Sequence, residues 1–192
     1  SNTIRSGSGA DVITLNDGIN SVQGQAGADT IVAVSGVNRI DAGDDADTIT
    51  LNNGNNTVWG GSGTDSITLN NGTNVVLAGT EADTIIAVTG LNTIDAGDGA
   101  DTINLVGGNN TVYGGAGQDT ITLRNGNNSL VAGVGADTIT VTSGINSIDA
   151  GGDGDVITLN GGNNTVYGGS GTDSITLNNG TQVIDAGTEN DT

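Results

Sequence analysis

The sequence repeats every 18 residues without an insertion or deletion, and no other feature limits its fold as much. On this period, coils begin at Asn2, Asn20, Asn38, Asn56, Asn74, Asn92, Asn110, Asn128, Asn146 and Asn164, with a partial coil from Gln182. A unit this short cannot bury an apolar face alone, so successive units must stack and share one thin core. The period therefore predicts an all-β, right-handed parallel β-solenoid. It spans residues 1–192 as one continuous array of about ten and a half uncapped coils. Because the array starts and stops inside a repeat, it reads as an excerpt of a longer protein.

Each coil divides into two nine-residue halves, as in 60–68 (GGSGTDSIT) and 69–77 (LNNGTNVVL). Both halves place Gly fourth, Asp or Asn sixth and an aliphatic residue eighth, which gives two turns and two short strands per coil. Strand alternation after the first turn sends Ile67 and Leu69 inward and Ser66 and Thr68 outward. The inward pair recurs as Ile49 and Leu51, Ile103 and Leu105, Ile121 and Leu123, and Ile157 and Leu159. The facing column is Val58, Val76, Ile94, Val112, Leu130, Ile148 and Val166. Coils stacked at about 4.8 Å make a rod roughly 50 Å long.

Composition agrees with a thin aliphatic core. The chain has no Phe, Met, Cys, Pro or His, one Trp and two Tyr. Without cysteine there is neither a disulfide nor a thiolate zinc site. No apolar run approaches a membrane span. The formal charge of −19, with Arg5, Arg39 and Arg124 as the only basic residues, disfavours nucleic acid and anionic membranes and favours cations as partners.

The acidic charge is ordered. Asp11, Asp29, Asp47, Asp65, Asp83, Asp101, Asp119, Asp137, Asp155, Asp173 and Asp191 occupy one place in every coil, so they stack in a column. Carboxylates about 5 Å apart repel by roughly 1 kcal/mol per pair even at the dielectric of water. A row of turn-capping carboxylates without metal would leave that repulsion unrelieved. Glycine-rich turns before each Asp let the backbone bend sharply and aim carbonyl oxygens at a hard cation. Ten ions between neighbouring coils would bring +20 against −19.

The segments GGSGTDSIT at 60–68 and 168–176 and GGAGQDTIT at 114–122 resemble the RTX calcium-binding nonapeptide, GGxGxDxUx. The resemblance implies a parallel β-roll with about one Ca²⁺ per inter-coil turn. Its ligands would be the eleven Asp, with backbone carbonyls around Gly7, Gly9, Gly24, Gly27, Gly61, Gly63, Gly97, Gly99, Gly115, Gly117, Gly133, Gly135, Gly169 and Gly171. It further implies an extracellular or cell-surface protein that folds on binding Ca²⁺.

Only the first half of each coil fits the nonapeptide fully. In the second half Asn20, Asn38, Asn56, Asn74, Asn92, Asn110, Asn128, Asn146 and Asn164, then Gln182, replace Asp. Neutral amides both donate and accept, so this column reads as a hydrogen-bonded structural ladder, with a weak second metal row as the alternative. Asp45, Glu81, Asp153 and Glu189 break the glycine rule at the fourth place. They either add oxygens to nearby ions or are solvated substitutes for glycine.

A longer period of 54 residues overlies the 18. NTVYGG at 110–115 and 164–169 matches NTVWGG at 56–61, so Trp59, Tyr113 and Tyr167 recur outward, about 14 Å apart at three strand spacings. Asp41, Asp95 and Asp149 hold the same column one coil earlier. Outward aliphatics also recur, as Val32, Val34 and Val37, then Ile86, Val88 and Leu91, then Ile145. Tandem duplication explains the period, and so does regular lateral packing against copies of the chain.

Three functions fit such a rod. The first is a calcium-binding structural element of a cell-surface filament, sheath, surface layer or adhesin stalk, contacting other copies laterally or end to end. The second is the RTX region of a toxin or protease exported by type I secretion. The third is ice binding through outward pairs such as Thr48 with Thr50, Thr120 with Thr122, and Thr138 with Thr140, although Val12, Val32, Ile86, Asn104 and Val156 interrupt them and Thr favours exposed strand sites anyway. An enzyme is not expected, because catalysis needs groups made different by environment and here every carboxylate has near-identical siblings.

Overall fold

A computed structural model describes residues 1–192. The chain winds into a parallel β-solenoid of two facing sheets, one of 11 strands and one of 10, with no helix. Every strand pairs in parallel with the strand one coil away, in a register of 18: Ile67 lies beside Ile85, and Val58 beside Val76. The expected coil length and register hold along the array.

The two sheets differ in strand length, where two short strands were expected. One sheet has strands such as Ser66–Leu69, of 4 residues; the other has strands such as Asn55–Ser62, of 8 residues. The longer strands run into the glycine-rich segment, because Gly61 pairs with Gly43 and Gly79 and the ladder continues beyond the aliphatic positions. Parallel strands cannot be joined by tight hairpins, and each coil closes through two turns at opposite edges.

Alternation sets the core. In the short strand Ile67 and Leu69 are fully buried, and in the long strand Val58 is. The core comprises 32 aliphatic residues, none aromatic. Full burial of each Ile, Leu or Val stabilises by roughly 1.5–3 kcal/mol against leaving it exposed. A further inward column on the long strands consists of Ala42, Ala78, Ala96, Ala132 and Ala150, interspersed with Gly24, Gly60, Gly114 and Gly168. These small residues lie at the aspartate end of the long strands, where nothing larger than a methyl group is found.

The amide ladder forms as expected. Asn38 donates Nδ2–H to Asn56 Oδ1 at 2.7 Å, Asn56 to Asn74 at 2.7 Å, and the series continues to Asn164, which donates to Gln182 at 2.8 Å. The other amide hydrogen turns back to the chain's own turn, as from Asn110 to the Gly107 carbonyl at 3.2 Å. Each buried amide therefore donates twice and accepts once, without an ion.

Candidate metal centre on the aspartate edge

Strand parity explains where the aspartates go. Asp65 precedes Ser66, so it belongs to the same inward series as Ile67 and Leu69, and the column from Asp29 to Asp173 is 0–1 % exposed. Asp11 and Asp191, near the two ends, are half-buried. The eleven residues do come together in one column.

Each aspartate is held through one carboxylate oxygen and both of its backbone polar groups. Asp47 Oδ1 accepts the Asp29 N–H at 2.7 Å, and the Asp47 N–H in turn donates to Asp65 Oδ1 at 2.8 Å. Its carbonyl accepts the Ser66 N–H at 2.8 Å. The same link runs from Asp11 to Asp29 at one end and from Asp173 to Asp191 at the other. This continuous backbone-to-carboxylate chain leaves one oxygen unused.

In every coil from Asp11 to Asp173, Oδ2 is buried and without a hydrogen-bond partner. It lies over the small column. A Cβ added to Gly114 would sit 2.6 Å from Asp119 Oδ2, and one on Gly168 would sit 2.5 Å from Asp173 Oδ2. An unpaired buried carboxylate is costly, so the group must bind a cation or take up a proton. Burial accordingly pushes the carboxyls of Asp83 and Asp155 up to about 7 and those of Asp47, Asp65 and Asp101 up to about 6. The hydrogen bond from the preceding Asp opposes the rise, and neighbouring carboxylates reinforce it. Burial raises Asp119 and Asp137 in the same way.

The arginines do not supply the missing charge. Arg5 donates to Gln23 at 2.8 Å, Arg39 lies 4.1 Å from the Trp59 ring centre, and Arg124 follows the short strand Thr120–Leu123 toward the amide edge. No three acidic, His or Cys side chains cluster tightly enough to enclose an ion by themselves. A cation at Oδ2 would therefore draw its remaining oxygens from backbone carbonyls of the glycine turns. Those turns contain left-handed backbone at Gly61 (φ 114°) and Gly63 (φ 119°). This donor set, carboxylate plus carbonyl, suits a hard ion such as Ca²⁺.

The acidic residues at the fourth place resolve differently. Asp45, Glu81 and Asp153 are exposed and adopt left-handed backbone at φ 78°, 72° and 73°. Gln25 does so at φ 81°, at a place where other coils have Gly. Side chains at these places reach back one coil: Gly63 N–H donates to Glu81 Oε2 at 2.9 Å, Gly171 N–H to Glu189 at 2.9 Å, and Gly27 N–H to Asp45 at 3.1 Å. Hydrogen bonds from Thr80 and Thr188, then from these glycine amides, hold Glu81 and Glu189 below the usual carboxylate range. All four acidic residues are exposed at the place of a glycine, and Asp45, Glu81 and Glu189 also cap a turn amide.

The chain matches the family pattern of the RTX calcium-binding nonapeptide repeat (4 copies) over residues 5–40, 14–49, 32–67, 41–76, 68–103, 77–112, 105–139 and 140–175. No individual curated protein matches it.

Proposed function

The chain belongs to the RTX calcium-binding nonapeptide repeat family, and from that premise we propose that it is an extracellular structural rod closed by Ca²⁺ along its aspartate edge. The observation that carries this reading is the row of ten buried, unpartnered Oδ2 atoms. The residues that would hold the ions are Asp11, Asp29, Asp47, Asp65, Asp83, Asp101, Asp119, Asp137, Asp155, Asp173 and Asp191, with turn carbonyls such as those of Gly61 and Gly63. The ion supplies positive charge beside the orphan oxygens. The chain's own part is to fix Oδ1 through the neighbouring Asp N–H, so that only Oδ2 needs a partner.

Binding of this kind is coupled to folding, since the unfolded chain has no stacked column. Each site adds about 2.7 kcal/mol when Ca²⁺ stands at a hundredfold excess over its dissociation constant. Few formal charges per site imply weak affinity, on the order of 10⁻⁴ M, the range of extracellular modules. This supports a location outside the cell, in a filament, sheath, surface layer or adhesin stalk, or in the repeat region of a secreted protein. Exposed Val34, Val37, Leu91 and Ile145 give the rod aliphatic positions for lateral contact with copies of itself. Calorimetric titration tests the site assignment: about one Ca²⁺ per inter-coil step is expected, and Asp83→Asn should lower the count. An unchanged count in that variant would remove Asp83 from the ligand set.

One observation favours ice binding as a second reading. Thr102, Thr120 and Thr138 stand in register on the outer face of the short-strand sheet, beside Thr122 and Thr140. Thermal hysteresis and ice-crystal shaping by the Ca²⁺-loaded protein test it.

A further inference from the structure

The outer face of the long-strand sheet carries a second pattern, independent of the metal column. Its third outward column reads, strand by strand in register, Asp41, Trp59, Leu77, then Asp95, Tyr113, Val131, then Asp149, Tyr167 and Asp185. Every aromatic thus has a carboxylate on the preceding strand, and the rings return at about 14 Å. Tyr113 and Tyr167 are 46 % and 49 % exposed. Trp59 is half-buried beneath the Arg39 guanidinium, which restrains its ring.

Beside this column runs a shallow groove. Thr111, Ser129, Ser147 and Thr165 line one side, and Asn109, Asn127 and Asn163, interrupted by Leu91 and Ile145, line the other. A second stretch of groove, including Thr57 and Trp59, lies toward the N-terminal coils. The face combines aromatic surface at fixed intervals, carboxylate acceptors beside each ring, and uncharged hydroxyl and amide groups alongside.

We propose that this face binds a neutral, extended polysaccharide. Aromatic rings offer flat apolar surface to the C–H faces of pyranose rings. Asp95 and Asp149 accept sugar hydroxyl hydrogens, and the Ser, Thr and Asn groups both donate and accept. The ring spacing of about 14 Å is close to the length of an extended trisaccharide, so successive rings engage one polymer as linked weak subsites. On this face Asp41, Asp95, Asp149 and Asp185 would repel the carboxylates or sulfates of an anionic polymer. An extended peptide would need a free sheet edge, and every internal strand of this sheet is paired on both sides.

The test is affinity electrophoresis in millimolar Ca²⁺ with hydroxyethylcellulose in the gel, together with cello-oligosaccharide titrations followed by Trp and Tyr fluorescence. Circular dichroism in the same buffer reports the fold, so failure of calcium-dependent folding and failure of glycan binding are separable. Expected are retardation by the neutral polymer and a gain of at least about tenfold in affinity from trisaccharide to hexasaccharide. A Trp59→Ala, Tyr113→Ala, Tyr167→Ala triple variant should lose at least tenfold, while Tyr113→Phe with Tyr167→Phe should retain binding. The proposal is overturned by folded protein that is not retarded, by retardation that the triple alanine variant keeps, by preference for polygalacturonate, or by a triple variant that changes only self-association.

Discussion

Along one edge of the rod Asn56 donates to Asn74 and Asn74 to Asn92; along the other Asp47 donates its backbone N–H to Asp65 and leaves Oδ2 alone. The two columns are about equally buried and both repeat every 18 residues. Their side chains differ in one group, NH₂ against O⁻. An amide supplies its own donor to the next coil, so the asparagine edge is complete as protein. A carboxylate has only acceptors, so the aspartate edge borrows one backbone donor and still lacks a partner for its second oxygen. The unmet need for a cation therefore lies on one edge, and the other holds the coils in register through its own amides.

The largest effect should come from making the edges alike. Asn92→Asp would still accept from Asn74, but it would leave Asn110 Oδ1 and the Thr89 carbonyl without a donor and place a buried charge against them. A loss on the order of 4 kcal/mol is expected in denaturant melts with Ca²⁺ present. The reverse exchange, Asp83→Asn, should change sign with conditions. Its amide oxygen can keep the Asp65 N–H, which now donates at 2.7 Å to Oδ1, while the orphan charge disappears. Stability should therefore rise in chelator and fall in saturating Ca²⁺, narrowing the gap by about 2–3 kcal/mol.

Acidity probes the same orphan oxygens. Folding without metal raises carboxyls such as Asp47 to about 6 and Asp83 to about 7, so the folded chain holds more protons than the unfolded one between about pH 4 and pH 7. In chelator, stability should be greatest below that window and should fall as pH rises through it. With Ca²⁺ the direction should reverse, since metal competes with protons for the same oxygens. Melting temperature at pH 5 and pH 8, with and without Ca²⁺, checks both signs. The smallest effect belongs to the exposed Glu81: Glu81→Gly trades the Gly63 amide bond for relief of a left-handed backbone at φ 72°, and should leave the melting temperature in Ca²⁺ nearly unchanged.

Much of this asymmetry was legible in the sequence because an uninterrupted period turns each residue into a column. Ile67, Leu69 and Val58 could be assigned inward from alternation, and the Asn column could be read as a ladder from the chemistry of the amide. The inward direction of Asp65 followed from the same parity, yet Asp in a Gly-rich turn reads first as a turn residue. The binding of Oδ1 by the neighbouring N–H depends on backbone direction, which spacing does not encode. Gly60 looked like one more turn glycine, but its φ is not left-handed; it is small because the Asp65 carboxylate and the Ala78 carbonyl crowd the place of a Cβ. The role of Glu81 as a cap for Gly63 was hidden for a related reason, since its partner lies one coil back.

With ten buried oxygens unpartnered, the aspartate edge should not close as protein alone. Far-ultraviolet circular dichroism during titration with Ca²⁺, followed by chelation with EGTA, tests it most directly. Expected are a weak β-signal and a low melting temperature in EGTA, with a cooperative and reversible gain of both on adding Ca²⁺. A β-signal and melting temperature that are the same in EGTA and in Ca²⁺ would contradict it.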